Sequence, residues 1–150
     1  MKQSEEFDWK EFNNLADSYI NQKNEAKHRT GVSRYYYGTF CTARDFLNEN
    51  NLYLNEQSKK TMHAKKSDVH SETSRIFRKH PKLQKNNIGK TISKELDKIR
   101  KMRNKADYDK STSSSMKRMI IKSKIKSQRI LELIDKLNLK KESSLKRDFK

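Results

Sequence analysis

The sequence predicts an all-α protein, an up-and-down bundle of about five helices, and three observations carry that expectation. Three Gly and one Pro in 150 residues leave few of the residues that tight β-hairpin turns require. Apolar side chains recur at spacings of three and four along several stretches, the period of one helix face. Hydrophobic residues make up 31% and charged residues 37% of the chain, against about 45–50% and about 25% in typical globular domains. That balance suits thin helical layers with long solvated faces. The length fits one domain with no second independent core, and no internal repeat is visible.

The first helix is expected over residues 7–23, with Phe12, Leu15, Tyr19 and Ile20, and Trp9 beside them, as its apolar stripe. Asn24 and Glu25 interrupt it. The second helix, near 26–49, carries Ser33, Tyr36, Phe40, Ala43 and Leu47 on one face and Arg34, Tyr37, Cys41 and Arg44 on the next. A helix with one apolar and one Arg-aromatic stripe belongs at the centre, under other helices or against a partner chain. Residues 50–66 are polar and Lys-rich and read as a loop or frayed turn. A third helix is expected at 67–79, capped by Ser67 or Asp68, with Val69, Ile76 and Phe77 inward and Pro81 closing it. A fourth runs from 87 to at least 103 on Ile88, Ile92, Leu96 and Ile99. After a break at Ser111 to Ser115, a fifth covers 114–138 on Met116, Ile120, Ile130, Ile134 and Leu137.

The net charge is +17, and it is uneven. Residues 1–81 carry 14 basic and 11 acidic side chains, for +3; residues 82–150 carry 22 and 8, for +14. Lys outnumbers Arg by 26 to 10, as a genome biased toward A and T would produce, but codon bias does not choose one half. A basic half attracts polyanions, RNA or DNA ahead of a membrane, because no amphipathic helix with Trp or Phe anchors accompanies it. A merely solvated basic surface is the alternative. The single Cys41 excludes an internal disulfide and fits a cytoplasmic location. The polar, acidic N-terminus does not resemble a signal peptide, and no apolar run is long enough to span a membrane.

One position breaks the helical pattern. Ile88, Ile92, Leu96, Ile99, Arg103 and Ala106 follow one stripe, so an arginine takes an apolar slot. A guanidinium there loses hydration and needs an anionic or hydrogen-bonding partner. Asp107, four residues on, is on the same side and can supply it. The pair is either a salt bridge that fastens the helix end, or an Arg held in a groove to meet a phosphate, with Asp107 and Asn104 orienting it.

Three blocks in register give a resemblance. RTGVSRYYYGTFCTARDFL at 29–47, VHSETSRIFRKH at 69–80 and IRKMRNKADYD at 99–109 resemble the small-protein branch of the HEPN family, whose blocks read approximately R-T-x-x-S-R-A-Y-Y-A-x-F-x-x-A-R, H-x-x-V-x-x-x-F and L-x-x-x-R-x-x-A-D-Y. The resemblance covers residues 8 to 138 and implies an HEPN-like helical domain over 1–138; by composition, residues 139–150 read as a basic, disordered tail. It implies a homodimer, and an activity as a metal-independent endoribonuclease of toxin or phage-defence type. The family's site is an Arg followed four to six residues later by His, with a polar residue, often Asn, directly after the Arg. Arg103 and Asn104 match, while Tyr108 stands in the His place.

In such a site the 2′-hydroxyl of RNA attacks the adjacent phosphorus and leaves a cyclic phosphate; Arg stabilises the growing charge and His moves protons. Tyrosine, with a reference pKa of about 10, is a poor base at neutral pH, though its hydroxyl donates a hydrogen bond. On an unbroken helix residue 108 points about 140° away from residue 103, so Tyr108 joins the site only if the helix breaks or the other chain supplies it. Arg103, Asn104, Asp107 and Tyr108 are thus the candidate catalytic residues, and Arg34, Arg44 and Lys105 the candidate RNA- or phosphate-binding ones. Arg34 and Arg44 can equally pair with acidic side chains inside the bundle. His28, His63, His70 and His80 are substitutes for the missing His, His70 foremost because it falls in a family block, with a surface or capping role as the alternative for each. Tyr35, Tyr36 and Tyr37 read as core and seam packing. Cys41, His63 and His70 lack metal-site spacing, no phosphate-cradling Gly loop is present, and no cofactor or metal is expected. The expected partners are RNA or a nucleotide, a second copy of the chain, and a cognate antitoxin or regulatory protein. The second reading is a non-catalytic module that binds RNA, nucleotide or a partner in an antitoxin-like or accessory role.

Overall fold

The computed structural model describes residues 6–111 and 115–148, with side chains described through residue 138. Among them, six α-helices and no strand are present: α1 (Lys10–Tyr19), α2 (Glu25–Glu49), α3 (Glu56–His63), α4 (Asp68–Lys79), α5 (Ile88–Tyr108) and α6 (Met116–Asp148), with 3-10 turns at Pro81–Leu83 and Lys85–Asn87 between α4 and α5. The all-helical bundle expected from the periodicity is what forms. Helix α2 is its axis, packed against α1, α4, α5 and α6. Its apolar stripe is buried, and of its Arg-aromatic stripe Cys41 is buried while Arg34, Tyr37 and Arg44 are half-buried.

Local signals explain where the helices start. Asn24 is extended, and its side chain accepts a hydrogen bond from the Lys27 amide at 3.1 Å, a cap that satisfies one of the free first-turn donors. Asn55 does the same for α3, accepting from the Ser58 amide at 2.8 Å. Ser67 occupies the cap position of α4 without making a capping bond.

Three expectations are corrected. The stretch 50–66 contains a full helix, α3. It is held by few apolar contacts: Met62 and Ser58, four residues apart, are buried, and α3 packs on α4. Its remaining Lys-rich surface hid that face from the pattern. In α1 the inward face is rotated from the predicted stripe. Leu15 is 44% exposed, while Asn13 and Ala16 are buried. Asn13 Nδ2 donates to Thr39 Oγ1 of α2 at 3.2 Å, and Gly38 lets the two backbones approach so closely that a Cβ there would stand 2.9 Å from the Trp9 carbonyl oxygen. Small and polar residues at that crossing leave no room for Leu15. Lastly, α6 continues past residue 138, so the backbone of 139–148 is helical where a disordered tail was expected; residues 149–150 of that tail lie outside the described residues. So do residues 112–114 of the expected Ser-rich break.

Two clusters make the core. The larger joins Tyr36, Phe40 and Leu47 of α2 to Phe77 of α4, Ile92 and Ile99 of α5, and Ile130 and Ile134 of α6. The smaller gathers Ala16, Val32, Tyr35, Ala106, Met116, Met119 and Ile120 where α1, α2, α5 and α6 meet. Ala106 in that second cluster fixes the last turns of α5, the segment that carries Arg103 to Tyr108.

Candidate functional site

Arg103 lies in the inward stripe of α5, and its side chain retains 16% of its exposure. Three neighbours hold the guanidinium. Nη1 donates to Asn104 Oδ1 at 3.0 Å and Nη2 to the Tyr37 hydroxyl at 2.5 Å. Nε lies 3.0 Å from Asp107 Oδ2, an ion pair in which the N–H is not aimed at the oxygen, so the attraction is electrostatic and Nε–H has no hydrogen-bond acceptor. Ser33 Oγ donates to the same Asp107 oxygen at 3.3 Å and ties it to α2. Asn104 and Asp107 thus stand where the spacing placed them, beside Arg103.

Tyr108 departs from expectation. The helix is unbroken through residue 108, yet the Tyr108 ring centroid is 5.5 Å from Arg103 Cζ, with no break and no second chain. Both side chains are long, and at the helix end nothing packs between them. Tyr108 is 74% exposed, so its ring lies at the solvent side of the guanidinium, while Tyr37 meets it through the hydroxyl, with its ring centroid 5.0 Å from the same carbon. The exposed Tyr108 ring adds the attraction of its quadrupole for the cation.

The end of α5 is fixed by a residue to which the sequence reading assigned no role. Arg29 of α2 donates from Nη1 to the carbonyls of Lys105 (3.3 Å), Ala106 (2.9 Å) and Asp109 (2.6 Å), and from Nη2 to that of Lys110 (3.4 Å). The last carbonyls of a helix lack intrahelical partners and carry partial negative charge; one guanidinium answers several of them. Its sequence signal was its place in the first family-like block.

Helix α2 supplies the other missed residue. Tyr37 is half-buried; its hydroxyl accepts from Arg103 and its ring also takes the Arg34 guanidinium, 5.1 Å from the centroid. Arg34 also stacks on Phe12 at 4.8 Å, and among the described residues no carboxylate lies in ion-pair range of it. Arg44 does pair internally, Nε and Nη2 donating to Asp45 Oδ1 at 3.1 and 2.9 Å, and lies over Trp9 at 5.4 Å. Lys105 is exposed, on the outer side of α5.

The four histidines separate clearly. His80 caps the turn after α4, its Nδ1 accepting from the Lys82 amide at 3.1 Å, and exposed His63 shares a hydrogen bond with the Tyr53 hydroxyl at 3.1 Å. His28 is buried, with Nε2 unpartnered. His70 is neither a surface nor a capping residue. It stacks on Phe40 at 4.1 Å and stands edge-on to Tyr37 at 6.2 Å, with its Nδ1 2.5 Å from the Tyr36 hydroxyl. Burial, and then the charges of Arg100, Arg103 and Arg44, push its pKa from 6.5 down to about 4, while burial pushes Tyr36 up. Both groups are therefore neutral at neutral pH, and the hydrogen bond joins the Tyr36 hydroxyl to His70 Nδ1. Arg100, which faces the same cluster, was also missed; it stands three residues before Arg103, a spacing that places both on one side.

Tyr37 and His70 open onto a groove of about 560 Å³ between α2 and the α3–α4 turn. Arg44, Lys65 and Lys66 line it, as does Cys41, whose thiol burial holds in the neutral form. The basic-aromatic surface thus continues from Arg103 across Tyr37 into this groove. Among the described residues no three His, Cys, Asp or Glu side chains converge to hold a metal ion, and no helix is long and apolar enough to cross a membrane.

Comparison with known proteins adds a relative of undetermined activity. The chain is similar to an uncharacterised protein of Methanocaldococcus jannaschii, 28% identical over 145 residues that cover 92% of this chain and 80% of the other. No family model matches the chain, and no solved structure matches it.

Proposed function

We propose that the protein is a HEPN-type, RNA-directed protein, a metal-independent endoribonuclease in which Arg103 receives the scissile phosphate. One observation carries the reading: Arg103 is a preorganised cation, fixed by Tyr37, Asn104 and Asp107 beside the exposed Tyr108 ring, near a groove lined by further cations. Such a group binds a phosphate without the cost of ordering a free side chain and stabilises the charge that builds on its oxygens. The 2′-hydroxyl attacks phosphorus and gives its proton to solvent water, the P–O5′ bond breaks, the departing 5′-oxygen takes a proton from water, and a 2′,3′-cyclic phosphate and a 5′-hydroxyl result. Tyr108, exposed beside the guanidinium, donates a hydrogen bond to a phosphoryl oxygen. Lys105 and Arg34 contact flanking phosphates, while Arg44 stays paired with Asp45. In a homodimer, two such edges meet and make one longer basic seam. The toxin or defence setting, a cognate antitoxin and a cytoplasmic location belong to the same proposal and rest on the resemblance of the three sequence blocks.

A second reading, RNA binding without cleavage, is favoured by the state of His70. Its Nδ1 is engaged by the Tyr36 hydroxyl and burial lowers its pKa to about 4, so it is a weak base, and Tyr108 supplies none at neutral pH. Incubating wild type and Arg103→Ala with mixed RNA in EDTA separates the two. Cleavage that survives chelation and disappears in the variant supports the nuclease. Salt-sensitive binding without cleavage, weakened in the variant, supports the binding module. If RNA neither binds nor is cut, the RNA-directed reading is wrong.

A further inference from the structure

The groove beside Arg103 is larger than a phosphate contact requires. Its volume of about 560 Å³ lies within the ~300–1,000 Å³ range of sites that hold small organic ligands. Its walls are of two kinds. Phe40, Val69 and Met62 give it an apolar side, and the half-buried rings of Tyr37 and His70 give it aromatic faces. Arg44, Lys65 and Lys66 put cations at its margin.

We infer that this groove is a nucleobase pocket, which takes one unpaired base of a single-stranded RNA whose adjoining phosphate is held at Arg103. The inference rests on the phosphate role proposed above and names the substrate form that the role implies. Tyr37 makes the connection: its hydroxyl holds Arg103 Nη2 and its ring lines the groove, so phosphate and base sites share one side chain. Bases in a duplex are stacked and paired, and only an unpaired base can be turned out onto aromatic and guanidinium planes. The half-buried ring of Tyr37, which lines the groove, is such a plane. His70 suits a base better than a phosphate. Uncharged at neutral pH and half-buried against Phe40, it is a neutral hydrogen-bonding ring suited to a base edge.

Trp9 lines the same groove and is the protein's single tryptophan, so its fluorescence reports occupation directly. The full-length protein is titrated with each of the four nucleoside 5′-monophosphates and with ribose 5-phosphate, which carries the same phosphate and no base. Saturable quenching by at least one nucleotide, at concentrations about tenfold below any effect of ribose 5-phosphate, is expected. Replacing the two exposed marginal cations, as Lys66→Ala with Lys65→Gly (glycine is at ease at this residue's φ of 53°), weakens nucleotide binding about tenfold at low salt and less at high salt. Ribose 5-phosphate acting as well as the nucleotides, or no nucleotide changing Trp9, overturns the inference. The phosphate role is judged separately, by RNA binding of Arg103→Ala. If that variant loses RNA binding while nucleotides leave Trp9 unchanged in wild type, the base pocket fails and the Arg103 site stands. If the variant binds RNA normally, the phosphate role fails and the paired site falls with it, whatever Trp9 shows.

Discussion

Arg103 is a charged side chain in an apolar stripe, and its neighbours explain how the fold tolerates it. An uncompensated guanidinium at 16% exposure would lose hydration without recovery; Asp107 supplies the opposite charge, and Asn104 and Tyr37 the acceptors. His70 shows the opposite solution, a titratable ring kept neutral by burial and by three arginines. The consequence for stability has a definite sign. Its pKa is 6.5 in the unfolded chain and about 4 in the fold, so between these values the unfolded chain binds more protons. The contribution is fully present above about pH 6.5 and is lost as pH falls toward about 4. The shift corresponds to at most about 3 kcal/mol, and partial solvation reduces it to about 1–2 kcal/mol. Urea denaturation at pH 7 and pH 5 therefore shows a loss that His70→Gln largely removes; an equal loss in both proteins would show that other groups carry it. The single residues legible in sequence were those whose partners lie one helical turn away, such as Asp107. Tyr37, 66 residues distant from Arg103, was legible only as packing.

At the scale of elements, the end of α5 is the part of the molecule on which the site depends. Ala106 anchors it in the smaller core cluster, and Arg29 caps it from α2. Arg29→Ala removes a charged donor from several carbonyls that then compete for water, at a cost of about 2 kcal/mol. Amide exchange in residues 105–109 accelerates beyond what the global loss accounts for, and on the proposed function RNA affinity falls with it because Arg103 shares that turn; unchanged protection there would show that Ala106 alone holds the helix end. The elements differ in how far their sequences reveal them. Helices α2, α4 and α5 bury long stripes, and the three-and-four spacing exposes them directly. Helix α3 is anchored mainly by Met62 and Ser58, too few buried positions to produce a period, and α1 presents Asn13 and Ala16 inward, residues that pattern reading places outside.

For the whole molecule, the question is where the positive charge acts. The excess lies in residues 82–150, yet part of it is answered inside the fold: Lys126, Lys98 and Arg129 surround the buried Glu95 at 3.1, 3.7 and 3.8 Å, and Lys124 meets Asp17. The groove beside Arg103 takes its cations, Arg44, Lys65 and Lys66, from the less charged half. Helix packing is equally specific. At Gly89 the start of α5 passes against the end of α4 and the turn after it, and a Cβ there would stand 2.7 Å from the Leu83 carbonyl oxygen. Backbone cannot yield as a side chain does, so Gly89→Ala costs about 2–3 kcal/mol, read as a lowered denaturation midpoint. A neutral result would mean that the α4–α5 junction rearranges freely.

By itself, the sequence determined the fold class, the central place of α2, and the position of an arginine that does not belong in its stripe, because these follow from spacing along one chain segment. It also placed Asn104 and Asp107 beside that arginine, for the same reason. The tertiary structure alone decided which residues from other helices complete the site: Tyr37 and Arg29 from α2, His70 from α4, and the groove between them. It decided, too, that His70 is neutral and that Tyr108 reaches Arg103 from an unbroken helix. Those facts depend on packing, burial and the field of distant charges, and none of the three has a period that a linear sequence can display.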